Sequence, residues 1–243
     1  MHKEYKRVAE YPDKAILLIH GIVGTPNHFA PFLEFVPQNF SVYNMLLDGH
    51  GKGVKDFAKA SMKKWEQQVA DAVKELSQQH NEIYIVAHSL GCLLAIEQAI
   101  QNPKITKLFL LAVPLKLFLK PRMFTNSLKV YFNKVTPQNK ELMAAKECYG
   151  IENDKNLLHY LGWVPRFLEL FSKIRETRKI IGSVNIPCVA CQSLKDEMVS
   201  KTANVILCQN PSISVVELGN SGHYYYAKED FSYIKEKFLT FLF

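Results

Sequence analysis

One stretch, residues 83–91, constrains the fold of this chain more than any other. It begins as an apolar, β-branched run, which is typical of a strand buried on both faces of a sheet. It ends at Ser89, and residues 92–100 have the broad apolar face of a helix. Ala87 and Gly91 are small, as they must be where a strand and a helix pass close together. The pattern predicts a serine in a strained strand-to-helix turn with its hydroxyl pushed out; the alternative is a serine that only caps the helix.

Short apolar runs alternate with amphipathic stretches along most of the chain. The apolar runs predict strands at residues 15–19, 40–46, 83–88, 107–113, 186–191 and 212–218, with an edge strand at residues 3–9. The amphipathic stretches predict helices at residues 61–80, 92–100, 202–208 and 228–241, and Thr25-Pro26 predicts the start of a short helix. A turn is predicted at Tyr11-Pro12-Asp13. We therefore expect an α/β fold with a mostly parallel central sheet and helices on both of its faces.

The alternation stops after Pro114 and resumes near residue 183. Residues 115–182 contain no convincing strand, and they have helical stretches at residues 117–133, 139–148 and 163–181. We therefore expect a core domain made of residues 1–114 and 183–243, interrupted by a helical insertion at residues 115–182.

Composition and the N-terminal residues limit the class of protein to which this chain can belong. No run approaches the roughly 20 apolar residues that cross a membrane, and residues 1–7 are charged with no apolar signal segment behind them. Five cysteines, an odd number, indicate no disulfide framework, so we expect a cytoplasmic protein. Cys188 and Cys191 form a C-x-x-C pattern in a predicted strand. Residues three apart on a strand face opposite sides, so we expect no metal or redox site there.

The net charge of +7 is concentrated in one segment of the chain. Of 30 basic and 23 acidic residues, 13 and 6 lie in residues 114–182, so the remaining 17 of each kind cancel. The basic residues are scattered rather than clustered, which favours a solvated helical surface. The other interpretation is an attraction for anionic substrates or for an anionic surface.

A serine hydroxyl is a weak nucleophile unless a base takes its proton and an acid orients that base. In a parallel sheet such groups meet at the carboxyl ends of the strands. Asp196 and His223 each follow a predicted strand, and the order Ser89, Asp196, His223 is the one expected for nucleophile, acid and base. We therefore predict that these three residues form a catalytic triad. The structural alternatives are a helix N-terminal charge for Asp196 and a loop-bracing role for His223.

The other histidines and the nearest rival acid fit these roles less well. His20 and His50 lie in glycine loops that they are expected to brace, and His88 is expected only to pack at the strand turn. The remaining histidines are expected at the surface or at helix caps: His2, His28, His80 and His159. Asp48 precedes the serine, outside the predicted order, and is expected to order the His50 loop.

Acyl transfer also needs donors for the oxyanion that develops on the substrate carbonyl. The backbone N–H of Leu90, directly after the serine, is one candidate. Ile22 is the second, because it follows a glycine at the end of the strand predicted at residues 15–19. The alternative is that His20-Gly21 is simply a turn.

At these residues the chain resembles the α/β-hydrolases, in particular the bacterial carboxylesterase and monoacylglycerol-lipase-like serine hydrolases that carry a helical cap. The matching segments are His20-Gly21-Ile22-Val23-Gly24, Asp48-Gly49-His50-Gly51, His88-Ser89-Leu90-Gly91, Asp196 and Ser221-Gly222-His223. The resemblance implies cleavage of short- or medium-chain esters or monoglycerides without a cofactor, and a cap role for residues 115–182. The chain departs from the family pattern at Ala87, where glycine is common, and in a short N-terminus that omits one or two edge strands.

Three functions remain open on the sequence alone. The first is a carboxylesterase or lipase that binds an apolar acyl group, with Trp163 and Phe167 among the aromatic residues of its substrate pocket. The second is a thioesterase or peptidase with the same triad, and the third is a ligand receptor on a hydrolase fold. We expect no metal, no nucleic acid and no stable membrane insertion, with at most a weak contact between the cap and an anionic surface.

Overall fold

The structure is a computed structural model that describes residues 2–10 and 13–243. Its strands are β1 (Tyr5–Arg7), β2 (Lys14–Ile19), β3 (Phe40–Met45), β4 (Lys52–Gly53), β5 (Glu82–His88), β6 (Ile105–Leu111), β7 (Ile151–Glu152), β8 (Cys188–Ser193) and β9 (Ile213–Leu218). Its helices are α1 (Ala30–Leu33), α2 (Val54–Lys59), α3 (Met62–Gln79), α4 (Leu90–Gln101), α5 (Pro121–Tyr131), α6 (Lys140–Cys148), α7 (Val164–Ile180), α8 (Thr202–Leu207) and α9 (Lys228–Leu242). Short 3-10 helices occupy Pro26–Phe29, Leu157–Trp163 and Ile181–Ser183. The turn predicted at Tyr11-Pro12-Asp13 lies mostly outside the described residues.

Seven strands form one sheet in the order β1-β3-β2-β5-β6-β8-β9. Only β1 runs antiparallel to its neighbour, so the predicted mostly parallel sheet is confirmed. From β2 the chain goes to β3 on one side and then crosses back to β5 on the other. The boundary between β2 and β5 is therefore a point where the strand order reverses, the usual place for a site in such sheets.

Helices cover both faces of the sheet, as the alternating sequence pattern predicts. Along β2, Ala15, Leu17 and Ile19 pack into the cluster beneath α3, α4 and α8, whereas Ile16 and Leu18 pack into the cluster beneath α1 and α9. Both clusters are buried, which is why β2 and β5 carry continuous apolar runs, residues 15–19 and 83–87, rather than alternating patterns.

The two cysteines of the C-x-x-C pattern lie on opposite faces of β8, as predicted. Cys188 belongs to the cluster beneath α3 and α4, and Cys191 to the cluster beneath α9. Burial raises the pKa of Cys191 to about 12, so this thiol stays protonated and packs as a small apolar side chain.

Residues 115–182 fold mainly as helices α5, α6 and α7, but one expectation for this segment is wrong. The sequence indicated no strand there, yet β7 (Ile151–Glu152) pairs in parallel with β4 in a second, two-stranded sheet. A strand of only two residues is too short to show an alternating pattern, so the sequence contains no signal for it.

The first turn of the helix predicted at residues 117–133 is also different. Residues 116–120 are extended and lie antiparallel to the loop after β8, through Phe118 N–H to the Met198 carbonyl (2.9 Å), Lys120 N–H to the Glu197 carbonyl (2.9 Å) and Ser200 N–H to the Lys116 carbonyl (2.8 Å). Helix α5 therefore begins only at Pro121, a residue suited to a first helical turn.

Helix α7 is one part of residues 115–182 that packs firmly on the core. Leu170 and Ile174 belong to the cluster beneath α3 and α4. Between them Lys173, 4% exposed, forms ion pairs with Glu66 of α3 and Glu97 of α4. The position of α7 over the core is thus set by both apolar contact and a buried charge that has two partners.

Candidate active site

Ser89 stands in the turn between β5 and α4, as the sequence predicts. Its backbone angles are φ 52° and ψ −119°, a left-handed conformation that costs about 1–3 kcal/mol for a residue with a side chain. The turn is so sharp that a Cβ at Gly91 would lie 2.1 Å from the Ile19 carbonyl oxygen. Only glycine therefore lets α4 pass the end of β2 at this distance.

The loop after β2 reaches the serine because β2 and β5 are neighbours in register. Ile19 lies opposite Ala87, so two residues further on Gly21 lies beside Ser89. A Cβ on Gly21 would come within 2.9 Å of the Ser89 Cβ. The missing side chain lets the backbone of this loop touch the serine, which is the approach that an oxyanion donor needs.

Two backbone N–H groups near the serine make no hydrogen bond among the described residues. Within residues 2–10 and 13–243, the N–H groups of Ile22 and Leu90 have no hydrogen-bond acceptor. Leu90 is the first residue of α4, where helical N–H groups lack partners. Ile22 precedes Val23, whose φ of 51° is rare for a β-branched residue. Strain of this kind is typical of functional loops.

Asp196 and His223 meet for the same reason as Gly21 and Ser89. Strands β8 and β9 are paired with Ser193 opposite Leu218, so the loops that follow them lie side by side. The His223 Nδ1–H donates to Asp196 Oδ2 at 2.8 Å, and each side chain is 1% exposed. The other carboxylate oxygen, Oδ1, accepts the backbone N–H groups of Met198 (2.7 Å) and Val199 (2.8 Å). The acid is therefore held on both oxygens.

Burial and pairing shift the pKa values of Asp196 and His223 in opposite directions, and the combined effect of pairing is the larger. Burial alone would raise the pKa of Asp196, but the His223 ring and the N–H groups of Val199 and Met198 hold that pKa below its ordinary value. Burial alone would lower the pKa of His223, but the carboxylate of Asp196 raises it above its ordinary value. The pair is thus suited to stabilise a positive charge on the imidazole.

Among the described residues no hydrogen bond joins the Ser89 hydroxyl to the His223 ring. The hydroxyl is nevertheless placed at the end of β5, and the ring of His88, the residue before it, lies 4.8 Å from the ring of His223. A loose contact of this kind is common in a catalytic site without substrate.

A cavity of about 410 Å³ opens beside these residues. Its lining includes Ile22 and Tyr224, the chain neighbours of Gly21 and His223, so the cavity reaches the site. Most of the lining comes from residues 115–182 and is apolar or aromatic, and it includes both Trp163 and Phe167, as expected from the sequence. Such a space suits a ligand with an extended apolar group.

Comparison with known proteins identifies the family. The Hydrolase_4 family, described as serine aminopeptidase, S33, matches residues 10–218 of the 243. The chain belongs to this family. A thermostable monoacylglycerol lipase from Bacillus sp. (strain H-257) is 29% identical over 98 residues, which make up 40% of this chain and 39% of that protein. The matched region thus spans well under half of this relative's length.

Solved structures show the α/β-hydrolase fold over the whole length of this Hydrolase_4 protein. One, from work on the metagenome-derived lipolytic enzymes LipS and LipT, has a TM-score of 0.76 at 18% identity and covers 99% of this chain and 97% of its own. A monoacylglycerol lipase from Paleococcus ferrophilus has a TM-score of 0.68 at 15% identity, covering 100% of this chain and 98% of its own. The expected α/β-hydrolase fold is therefore confirmed.

Two histidines brace loops of this chain, as predicted. His20 Nε2 accepts the Leu47 N–H at 3.0 Å, and His50 Nδ1 lies 3.2 Å from the Leu47 carbonyl. Asp48 orders the same region differently from the prediction. Its backbone carbonyl accepts Trp65 Nε1–H at 2.9 Å, whereas its carboxylate pairs with Lys64 at 3.4 Å on the surface.

His80 caps the C-terminal end of α3, as expected, and is buried, with its Nδ1 3.0 Å from the Leu76 carbonyl. The same expectation is wrong for His28, which is buried within the short 3-10 helix Pro26–Phe29. His28 lies behind the site, with its ring 3.9 Å from that of His88. His88 in turn does more than pack, because its Nε2–H donates to the His223 carbonyl at 2.9 Å. No local sequence pattern indicates this stack, because its members are distant in the chain.

Glu197 is a site residue that sequence reasoning missed. Its Oε2 accepts the His223 backbone N–H at 3.2 Å, and its negative charge adds to the causes that raise the pKa of His223. Glu197 also lines the cavity and lies 3.7 Å from Arg122. Its position directly after Asp196 was the available signal.

Within the described part of the chain no group of three His, Cys, Asp or Glu side chains is arranged to hold a metal ion.

Proposed function

We propose that this protein hydrolyses carboxylic esters through an acyl-enzyme formed on Ser89. The observation that carries the proposal is the buried Asp196–His223 pair beside a serine in a strained turn. The two N–H groups without acceptors, those of Ile22 and Leu90, support it further.

In the first half-reaction the Ser89 oxygen attacks the ester carbonyl carbon while His223 Nε2 takes the hydroxyl proton. Asp196 holds the ring in the tautomer that leaves Nε2 free and stabilises the cation that forms. The N–H groups of Ile22 and Leu90 bind the oxyanion of the tetrahedral intermediate. His223 then donates its proton to the departing alcohol oxygen, and the C–O bond breaks.

In the second half-reaction a water molecule takes the place of the alcohol. His223 accepts a proton from the water as its oxygen attacks the acyl carbon, and the same N–H groups bind the second oxyanion. The proton returns to the Ser89 oxygen as the acid leaves. These steps use only groups of this chain and water, so we expect activity to persist in the presence of a chelator.

We further propose that residues 115–182 act as a cap on a core made of residues 1–114 and 183–243. Most of the cavity lining belongs to this segment, and Trp163 and Phe167 form part of its apolar wall. An apolar wall favours the acyl group of a short- or medium-chain ester or a monoglyceride. The lipolytic names of the similar proteins support the same substrate class.

A peptidase or thioesterase with the same triad is the second candidate. The description of the matching family, serine aminopeptidase, favours a peptidase. A cavity lined mainly by apolar side chains argues for the ester instead, since a free peptide N-terminus requires a carboxylate placed to bind it. Among the described residues that line it, Glu197 is the only carboxylate, and it already accepts the His223 N–H.

The test is covalent labelling combined with a substrate panel. A fluorophosphonate should label the wild-type protein and not Ser89→Ala, whereas Ser232→Ala, on the outer helix α9, should label normally. The wild type should cleave p-nitrophenyl esters and prefer them to aminoacyl p-nitroanilides. Labelling or ester cleavage that survives in Ser89→Ala would refute the assignment, and labelling without turnover would favour the receptor alternative.

A further inference from the structure

A regular stripe of apolar side chains lies exposed along the outside of the insertion. Its members are Leu157, Leu161, Val164, Leu168 and Phe171, and each is between 41% and 67% exposed. The last three recur every three or four residues on α7, which places them on one side of that helix. Leu157 and Leu161 lie in the 3-10 helix that leads directly into α7. At about 1.5 Å per residue, the part on α7 is roughly 10 Å long.

On α7 the stripe lies next to the two sides that already have partners. One side carries Leu170 and Ile174 onto the core, and another carries Phe167 into the cavity wall. A surface helix in a globular protein normally presents polar residues on its remaining side. A continuous apolar stripe in that position marks a docking surface.

Basic residues continue the same stripe. Arg175 and Arg178 follow Phe171 at spacings of four and three, and both are exposed. Neither guanidinium has an acidic partner within 4.0 Å among the described residues. The segment that contains them carries the whole net charge of the chain, +7, and the rest of the chain is neutral.

These charges decide which partner fits. A second copy of the chain would bring another segment of charge +7 against this one, and like charges oppose that contact. An anionic lipid surface instead receives the apolar side chains between its acyl chains and pairs its headgroups with the arginines. No helix within the described residues is long and apolar enough to cross a bilayer, so a contact of this kind lies in the interface.

We propose that the stripe, with Arg175 and Arg178, docks this protein on an anionic lipid surface. Leu157 belongs both to the stripe and to the cavity lining, so the docked surface adjoins the opening of the cavity. An apolar ester dissolved in the bilayer then reaches the cavity without crossing water. This consequence depends on the proposed function, but the docking itself does not.

The experiment is co-sedimentation of the full chain with phosphatidylcholine vesicles, with and without phosphatidylglycerol. The wild type should bind the anionic vesicles more tightly and lose that preference at high salt. Arg175→Gln/Arg178→Gln should weaken binding to anionic vesicles roughly thirtyfold, at about fivefold for each basic residue, and leave neutral vesicles unaffected. Leu161→Ser/Leu168→Ser should weaken binding to both vesicle types at least roughly tenfold.

Two controls separate docking from other effects. Lys228→Gln/Lys237→Gln removes two charges from α9, on the opposite face of the sheet, and should bind like the wild type. All variants should keep wild-type turnover of a soluble short ester, because none of these residues lines the cavity. Wild-type protein that ignores anionic vesicles, or arginine variants that bind them normally, would overturn the proposal. A dimer that dissociates in Leu161→Ser/Leu168→Ser would assign the stripe to a second copy instead.

Discussion

The core and the insertion build their parts of the site in opposite ways. Ser89, Asp196 and His223 follow β5, β8 and β9, which are parallel strands of one sheet, and their positions follow from strand register. All three are buried, whereas helix α5 of the insertion, which forms much of the cavity wall, has no buried residue. A substitution near a buried group whose position depends on strand register displaces that group. A substitution in a wall of half-exposed helices changes the shape of the cavity and leaves the catalytic groups in place. We therefore expect changes in the core to affect every substrate and changes in the insertion to affect the choice among substrates.

The largest effect should come from Asp196→Asn. Its kcat should fall by about 10²–10⁴ on every ester, whatever the acyl length, because His223 loses both its orientation and the charge that stabilises its cation. The same substitution should change the pH dependence. The base works only when neutral, so activity rises with pH through the pKa of His223, which Asp196 raises. Without the carboxylate, burial is the largest remaining influence and lowers this pKa, so the midpoint should move to lower pH.

Asp48→Asn is the matched control, since Asp48 is the rival carboxylate and its side chain contacts only Lys64 on the surface. It should keep near wild-type kcat and midpoint. Steady-state kinetics across the pH range measures both variants. If the Asp48 variant loses activity and the Asp196 variant keeps it, the acid has been assigned wrongly.

The next largest effect should be on stability, at Gly91→Ala. The new methyl group would lie 2.1 Å from the Ile19 carbonyl, so β2 and α4 must move apart. Overpacking of this kind costs about 1–3 kcal/mol, or roughly 2–4 °C of Tm for each kcal/mol. The displaced turn should also reduce activity on every ester. Thermal unfolding and esterase assays measure the two effects.

Gly182→Ala, at the end of the insertion, is the matched control for Gly91→Ala. Nothing lies within 4 Å of the Cβ it would add, and its change in the free energy of unfolding should stay within about 0.5 kcal/mol. Equal losses in the two variants would show that the close contact at Gly91 does not constrain the turn.

Sequence patterns predicted the core well for a physical reason. Strands buried on both faces are continuous apolar runs, and groups that follow parallel strands gather at one edge of the sheet. The sequence alone therefore assigns Ser89, Asp196 and His223 to one site. In the structure His223 Nδ1 lies 2.8 Å from Asp196 Oδ2. Their catalytic roles remain predictions.

The sequence predicted less where contacts depend on tertiary packing. The stack of His28 on His88 joins residues that lie 60 positions apart, and no local period indicates it. No local period indicates the pairing of β4 with β7 either. Nor does one indicate that residues 116–120 are extended, because they pair with the distant loop after β8 and do not join helix α5. The insertion's helices were predicted, but which side of each lines the cavity was not.

A smaller and more selective effect should come from Phe167→Ala in the cavity wall. Each methylene that an acyl chain buries contributes about 0.8 kcal/mol, or roughly fourfold in kcat/KM. Removing the ring should therefore move the preferred acyl length while an acetate ester is still cleaved. Phe171→Ala, one turn further along α7 and outside the cavity lining, should leave the profile for soluble esters unchanged. A panel of esters from acetate to palmitate measures the profile, and a flat profile in all three proteins would exclude the insertion from acyl selection.

The smallest effect should come from Glu197→Gln, which lies where the core and the insertion meet. Glutamine keeps an oxygen that can accept the His223 N–H, so the loop should hold its position. It removes a negative charge that helps to raise the pKa of His223. The midpoint of the pH profile should therefore move to lower pH, by less than in Asp196→Asn, while the plateau kcat changes little. Glu141→Gln removes the other acidic partner of Arg122, 3.4 Å away, and should leave the midpoint in place. Equal shifts of the pH midpoint in both variants would show that the effect comes from the contact of Arg122 with the insertion. A shift in Glu197→Gln alone would show that it comes from the charge beside His223.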